Sequence, residues 1–121
     1  MSKTVLIVDD SMAMRRMIAF TLESSGFSVI QGSNGVEGLE RLNEQPADLI
    51  IADVNMPVMD GITFVRHART LPGFASIPIL MLTTENLKSR VSEAREAGAS
   101  GWLVKPFRPD RLLEVVGRVL G

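Results

Sequence analysis

Apolar residues fall along this chain in two alternating rhythms, short unbroken runs and stripes with a period near 3.6. Val5-Leu6-Ile7-Val8 is a continuous apolar run rich in β-branched residues, ending at Asp9-Asp10. Runs of this kind suit strands buried on both faces, as in parallel sheets. Ser11 then offers a cap for a helix over about 12–24, where Met14, Met17, Ile18, Thr21 and Leu22 repeat at helical spacing and Gly26 supplies the stop. Arg15, Arg16 and Glu23 occupy its polar side. A weaker, more polar run over 27–31 predicts an edge strand. Asn34 and Glu37 have capping-box spacing and open a short helix with Val36, Leu39 and Leu42 inward. Gly38 weakens that helix, and Pro46 lies just beyond it.

Leu49-Ile50-Ile51-Ala52-Asp53 is a third strand, followed by the turn-forming stretch Met56 to Asp60. Gly61 begins a helix through about Leu71, with Ile62, Val65 and Ala68 inward and Arg66 and Arg69 outward. The run 77–82 is a fourth strand, with Pro78 near its start, where a missing donor does least harm. Thr83, Thr84, Glu85 and Asn86 lead into a helix over about 87–97. Its apolar stripe is thin (Leu87, Val91, Ala94 and Ala97), which predicts the least tightly held helix of the set. Residues 101–105 form a fifth strand. Pro109 stands at a natural first helical position, and the last helix carries a wide stripe from Leu112 to Leu120. The order βαβαβαβαβα predicts a parallel sheet covered by helices on both faces, in one domain over residues 1–121.

Composition narrows the chemistry. The chain has no cysteine, which excludes disulfides and thiolate metal sites. Its net charge of −1 gives no general case for nucleic-acid or membrane binding. No stretch has the length of a membrane span or reads as a signal peptide, so a cytoplasmic location is expected. Charge is unevenly spread: residues 1–85 carry 10 acids and 6 bases, residues 86–121 carry 4 acids and 7 bases. The basic C-terminal part would steer an acidic partner, although solvated helices that collect arginine produce the same imbalance. His67, alone and mid-helix, reads as a surface residue.

Four predicted strands end in Asp9-Asp10, Asp53, Thr83 and Lys105. In an open parallel sheet those ends share one rim, where ligands bind. Unit charges ~4 Å apart repel by about 4 kcal/mol at an effective dielectric near 20, so three carboxylates there require positive charge. Lys105 supplies one, and a hard divalent cation supplies the remainder; magnesium suits an all-oxygen site that also receives a phosphoryl oxygen. A carboxylate nucleophile, a hydroxyl, an ammonium and a metal ion are parts for phosphoryl transfer to Asp53.

Val8-Asp9-Asp10-Ser11, the pattern Asp53-x-Asn55-Met56-Pro57-x-x-Asp60-Gly61, Leu82-Thr83-Thr84-Glu85 and Lys105-Pro106-Phe107 occur in order at fitting spacings. With these motifs the whole chain resembles the response-regulator receiver domain, in its single-domain, chemotaxis-type (CheY-like) form. The resemblance implies a flavodoxin-like (βα)5 sheet of strand order 2-1-3-4-5. It implies that Asp53 accepts a phosphoryl group from a sensor histidine kinase. Asp10, Asp53 and the Asn55 carbonyl would ligate Mg2+, with Asp9 acting largely through water. Lys105 and Thr83 would meet phosphoryl oxygens, Trp102 would be the switch aromatic, and the bond before Pro106 would be cis. A downstream protein target would bind the 87–120 face of a protein that is monomeric when unphosphorylated. Thr84 stands where a smaller residue is common and Trp102 where Tyr or Phe is more familiar. Two rival readings remain open at this point, a phosphate sink without its own target and a magnesium-dependent phosphatase. Against the phosphatase, no second acid follows Asp53 by two residues to protonate a leaving group.

Overall fold

The computed structural model describes residues 2–84 and 90–120. Its elements are β1 (Thr4–Val8), α1 (Met12–Ser24), β2 (Ser28–Gly32), α2 (Gly35–Glu44), β3 (Leu49–Asp53), α3 (Gly61–Thr70), β4 (Ile79–Thr84), α4 (Val91–Ala97), β5 (Gly101–Lys105) and α5 (Pro109–Leu120). The five strands form one parallel sheet in the order β2-β1-β3-β4-β5. This is the flavodoxin-like α/β arrangement expected from the sequence, with β2 on an edge. Among the described residues, no helix is long and apolar enough to cross a membrane.

Successive side chains of a strand point to opposite faces, and the core divides accordingly. Leu6, Val8, Ile50, Ala52, Ile79 and Met81 pack against Leu42 of α2, Phe64 and Val65 of α3, and Ala94 and Ala97 of α4. Val5, Ile7, Leu49, Ile51, Leu80 and Leu82 pack against Ile18 and Leu22 of α1 and Leu112, Val115 and Val116 of α5. Most of these strand residues have no exposed surface, which accounts for the unbroken apolar runs. Burying one such side chain contributes about 1.5–3 kcal/mol.

Local signals explain most of the boundaries. The Ser11 hydroxyl accepts from the Met14 N–H and caps α1. Asn34 caps α2 by accepting from the Glu37 N–H, while Glu37 reaches one residue past the cap, to the N–H and hydroxyl of Ser33. The edge strand and the fourth strand lie one and two residues further on than the apolar pattern indicates. Of the helix expected over 87–97, Val91–Ala97 is observed; Glu85, Asn86 and Leu87 lie outside the described residues.

Two side-chain orientations differ from the sequence reading. Val36 is exposed, and the buried face of α2 is Gly35, Gly38 and Leu42. A Cβ on Gly38 would meet Phe64 Cε1 at 2.8 Å and Val8 Cγ2 at 2.9 Å, so the glycine lets α2 lie close on the sheet and α3. Arg69 turns inward rather than outward. Its guanidinium donates to the carbonyls of Gly98, Phe74 and Ile77, joining the C-terminal ends of α3 and α4 to the loop before β4.

Candidate functional site

Chain order reverses direction between β1 and β3, because β1 is followed by β2 on one side and β3 lies on the other. A crevice at the carboxyl ends of the strands is expected at such a point. Asp9, Asp10 and Asp53 meet there, each offering a carboxylate oxygen within 4.8 Å of the others. Asp9 and Asp53 are buried and Asp10 is exposed.

Strand parity selects the partner cation. Asp9 continues the Val5, Ile7 face, Asp53 continues Leu49, Ile51, and Lys105 follows Leu103 on that same side of the sheet. Lys105 Nζ lies 3.2 Å from Asp9 Oδ2 and 3.3 Å from Asp53 Oδ1. Asp9 is held on its remaining oxygens as well: Oδ1 accepts from the Ser11 N–H at 2.9 Å, and its carbonyl accepts from Arg15 Nη1 at 2.6 Å. Its side chain is therefore occupied by protein donors, whereas Asp10 faces solvent. Burial raises the Asp53 pKa from the ordinary 3.8 to about 6, against the pull of Lys105 and with reinforcement from Asp9; the Asn55 N–H also favours the charged form.

The turn after β3 keeps Asp53 at the rim. Gly61 N–H donates to the Val54 carbonyl at 2.8 Å, folding the chain back over the strand end. Between them, Asn55 is exposed, and Val58 adopts φ +72° inside a turn closed by a 2.8 Å bond from Met59 N–H to the Pro57 carbonyl. Positive φ is strained for a β-branched residue, and such strain is frequent beside functional sites. Asp60 caps α3 by accepting from Thr63 N–H, and its Oδ2 pairs with Arg90 at 3.3 Å. Burial opposes the charged form of Asp60, but Thr63 and Arg90 outweigh it and lower its pKa.

Thr83 and Trp102 stand on the other face. Thr83 is buried, and its hydroxyl donates to the Thr84 carbonyl at 3.2 Å. With Trp102 it lines a narrow pocket completed by Val54, Met81, Arg90, Val91 and Ala94. The sequence brings Thr83 to the rim, where its side chain lies on the Met81 and Trp102 side of the strand end. Trp102 is half-buried, with the Arg95 guanidinium 4.7 Å from its ring centroid. The Lys105-Pro106 peptide bond is cis. His67 is exposed, as expected of a surface residue.

The sequence reading left Arg15, Arg90 and Arg95 without a role. The Asp9 carbonyl that Arg15 meets, the Asp60 carboxylate that Arg90 meets and the indole ring beside Arg95 lie outside the i±3 and i±4 spacings by which a helical pair is recognised, although Arg90 also pairs with Glu93 at i+3.

Among the described residues the donor set of the acidic cluster is entirely oxygen, and one lysine stands against three carboxylates. That combination fits a hard divalent cation better than a soft one.

Residues 5–117 match the response regulator receiver domain family. The chain is 42% identical over 119 residues to the chemotaxis protein CheY1 of Helicobacter pylori, covering 97% of this chain and 96% of that one. The structure of chemotaxis protein CheY4 of Vibrio cholerae superposes with a TM-score of 0.96 at 44% identity, over 99% of this chain and 100% of that one. The receiver domain of a sensor histidine kinase of Pseudomonas aeruginosa, solved with a magnesium ion coordinated in its active-site cleft, superposes with a TM-score of 0.90 at 27% identity, over 100% and 99% of the two chains.

Proposed function

The chain belongs to the response regulator receiver domain family, and on that premise we propose that it is a single-domain response regulator whose Asp53 carries the phosphoryl group. It is a signalling protein rather than an enzyme, and a response regulator implies a histidine kinase as its donor. The observation that carries the assignment is Lys105 Nζ bridging Asp9 Oδ2 and Asp53 Oδ1 beside the exposed carboxylate of Asp10. An oxygen of Asp53 attacks phosphorus, the phosphorus–nitrogen bond of the donor phosphohistidine breaks, and an acyl phosphate forms. Lys105 is already placed to exchange its contact with Asp53 for one with a phosphoryl oxygen.

Asp10, Asp53 and the backbone carbonyl of Asn55 are the proposed Mg2+ ligands, with Asp9 a less direct contributor because Ser11 and Lys105 already occupy its oxygens. When bound, the ion neutralises charge on the transferring group. Thr83 supplies a hydroxyl by rotating away from the Thr84 carbonyl. Trp102 reports that movement to the face formed by α4, β5 and α5. A surface pocket of about 370 Å³ on this face is lined by Trp102, Val104, Pro106, Phe107, Arg108 and Arg111 among others. A protein target binds there, and the names of the relatives point to a chemotaxis role. A monomeric resting form and a cytoplasmic location belong to the same reading.

The test is intact-mass measurement after adding magnesium and a small phosphodonor. One phosphoryl group should add to the wild-type chain and none to Asp53→Ala of unchanged fold. Equal mass gain in both proteins refutes the assignment.

A further inference from the structure

We infer that Arg15 is a positioning residue for Mg2+ at the acidic cluster, because it fixes the backbone that aims the Asp10 carboxylate. The inference rests on the reading of Asp10 as a Mg2+ ligand. Among the described residues no hydrogen bond or ion pair reaches the Asp10 side chain, so its direction is set through the main chain. Arg15 Nη1 donates to the Asp9 carbonyl at 2.6 Å, and that carbonyl belongs to the peptide group leading into Asp10. The peptide group leaving Asp10 is held by its other end, the Ser11 N–H, which donates to Asp9 Oδ1 at 2.9 Å. Arg15 also returns its own backbone N–H to the Ser11 carbonyl at 3.0 Å. One residue of α1 therefore grips carbonyls on both sides of Asp10.

Two effects of Arg15 on a cation oppose each other. Its positive charge, close to the acidic cluster, repels Mg2+. Its hold on the Asp9 carbonyl favours Mg2+, which demands near-octahedral oxygens at about 2.0–2.1 Å and tolerates a loosely aimed ligand poorly. Asp10 is exposed, so water and salt screen the repulsion. Removing a group that orients a metal ligand typically costs about 10–100-fold in affinity. The positioning effect is therefore the larger one. A charge-assisted bond to a neutral carbonyl suits this task, since it holds the peptide without taking up a carboxylate oxygen that the ion needs.

The two effects give opposite signs on removal of Arg15, which makes the inference measurable. Amide shifts of the labelled full chain, titrated with magnesium chloride without phosphodonor, give the dissociation constant. Arg15→Met should raise it about tenfold. Arg16→Met removes the same charge from the exposed neighbour on α1 and should leave the constant unchanged or slightly lower. Arg15→Lys keeps a charged donor without the guanidinium fork and should bind about two- to threefold more weakly than wild type. A constant in Arg15→Met equal to or below that of wild type, with the amide spectrum of a folded chain, overturns the inference. Equal weakening by Arg16→Met does the same, as does a wild type without magnesium-dependent shifts around Asp10. If Arg15→Met does not fold, Arg15→Lys decides, and binding as tight as wild type overturns the inference. In the mass-gain experiment the deficit of Arg15→Met should vanish at saturating magnesium, because Arg15 touches no reacting atom. A rate that stays low at saturation overturns the positioning role. If the wild type binds magnesium but gains no mass, the proposed function fails while the titration still decides the role of Arg15.

Discussion

Gly61 lies directly on the carbonyl of Asp53: a Cβ added to it would stand 2.0 Å from that oxygen and 2.8 Å from Val54 Cα. Both obstacles are backbone, so neither can yield by a rotamer change. Gly61→Ala should open the turn, break the bond to the Val54 carbonyl, and destabilise the fold by about 1–3 kcal/mol. Phosphoryl acceptance should fall with it, because the same turn sets the direction of Asp53. Gly117 is the internal comparison, exposed in α5 with nothing within 4 Å of an added Cβ. There the same substitution should stabilise by about 0.5–1 kcal/mol through helix propensity. Urea unfolding of the two variants checks both signs; stabilisation by Gly61→Ala would refute the close approach.

The Asp53 carboxyl couples the site to pH. Its pKa in the folded protein is about 6, above the ordinary 3.8, so between those values the folded state binds more protons than the unfolded. Stability must then fall as pH rises through that window and level off above it. In metal-free buffer Asp53→Asn lacks this loss. Its stability relative to wild type should increase by about 2–3 kcal/mol between pH 4 and pH 7. Parallel stability curves for the two proteins would show that Asp53 is not desolvated as described.

Arg69 donates four hydrogen bonds to three carbonyls, with no carboxylate among those partners. Burial lowers its pKa, and the bonded carbonyls are what hold the charge. Replacing it with methionine keeps the aliphatic stem but leaves the Gly98, Phe74 and Ile77 carbonyls short of a donor. Arg69→Met should cost about 2–4 kcal/mol, read as a lower urea midpoint. A loss under about 0.5 kcal/mol would place the residue on the surface, where its charge suggested it belonged.

That misplacement shows where sequence patterns carry information and where they do not. β3 and α1 have the bounds expected from sequence because an unbroken apolar run and a serine cap are local signals. The convergence of Asp9, Asp10, Asp53 and Lys105 follows from strand parity and strand order, both readable once the elements are known. The buried face of α2 was misread because Gly35 and Gly38 carry no hydrophobic signature, while Val36 does and is exposed. Arg69 reaches Gly98 across 29 positions, beyond any local window. The same holds for Arg90, whose partner Asp60 is 30 positions away. Thr83 lies at the rim the sequence indicates, and alternation sets its side chain beside Met81 and Trp102.

Asp60 performs two separable tasks, and the choice of substitution distinguishes them. Its Oδ1 caps α3 through the Thr63 N–H, and its Oδ2 holds Arg90 behind Trp102. Asp60→Ser retains a capping oxygen but is too short and uncharged to hold Arg90. Asp60→Ala loses both. The Asp60 and Arg90 side chains are 34% and 31% exposed, so the ion pair itself should contribute less than about 1 kcal/mol. The cap should contribute about 1 kcal/mol. Stability should therefore fall clearly in Asp60→Ala and little in Asp60→Ser. The environment of Trp102 should change in both, since Arg90 loses its Asp60 anchor in both and keeps only Glu93, and acrylamide quenching of the single tryptophan reads this directly. Quenching that changes only in Asp60→Ala would tie Trp102 to the integrity of α3 instead of to Arg90. Quenching that changes equally in both, with stability lost only in the alanine variant, assigns the link between the turn after Asp53 and the Trp102 pocket to the Asp60–Arg90 pair.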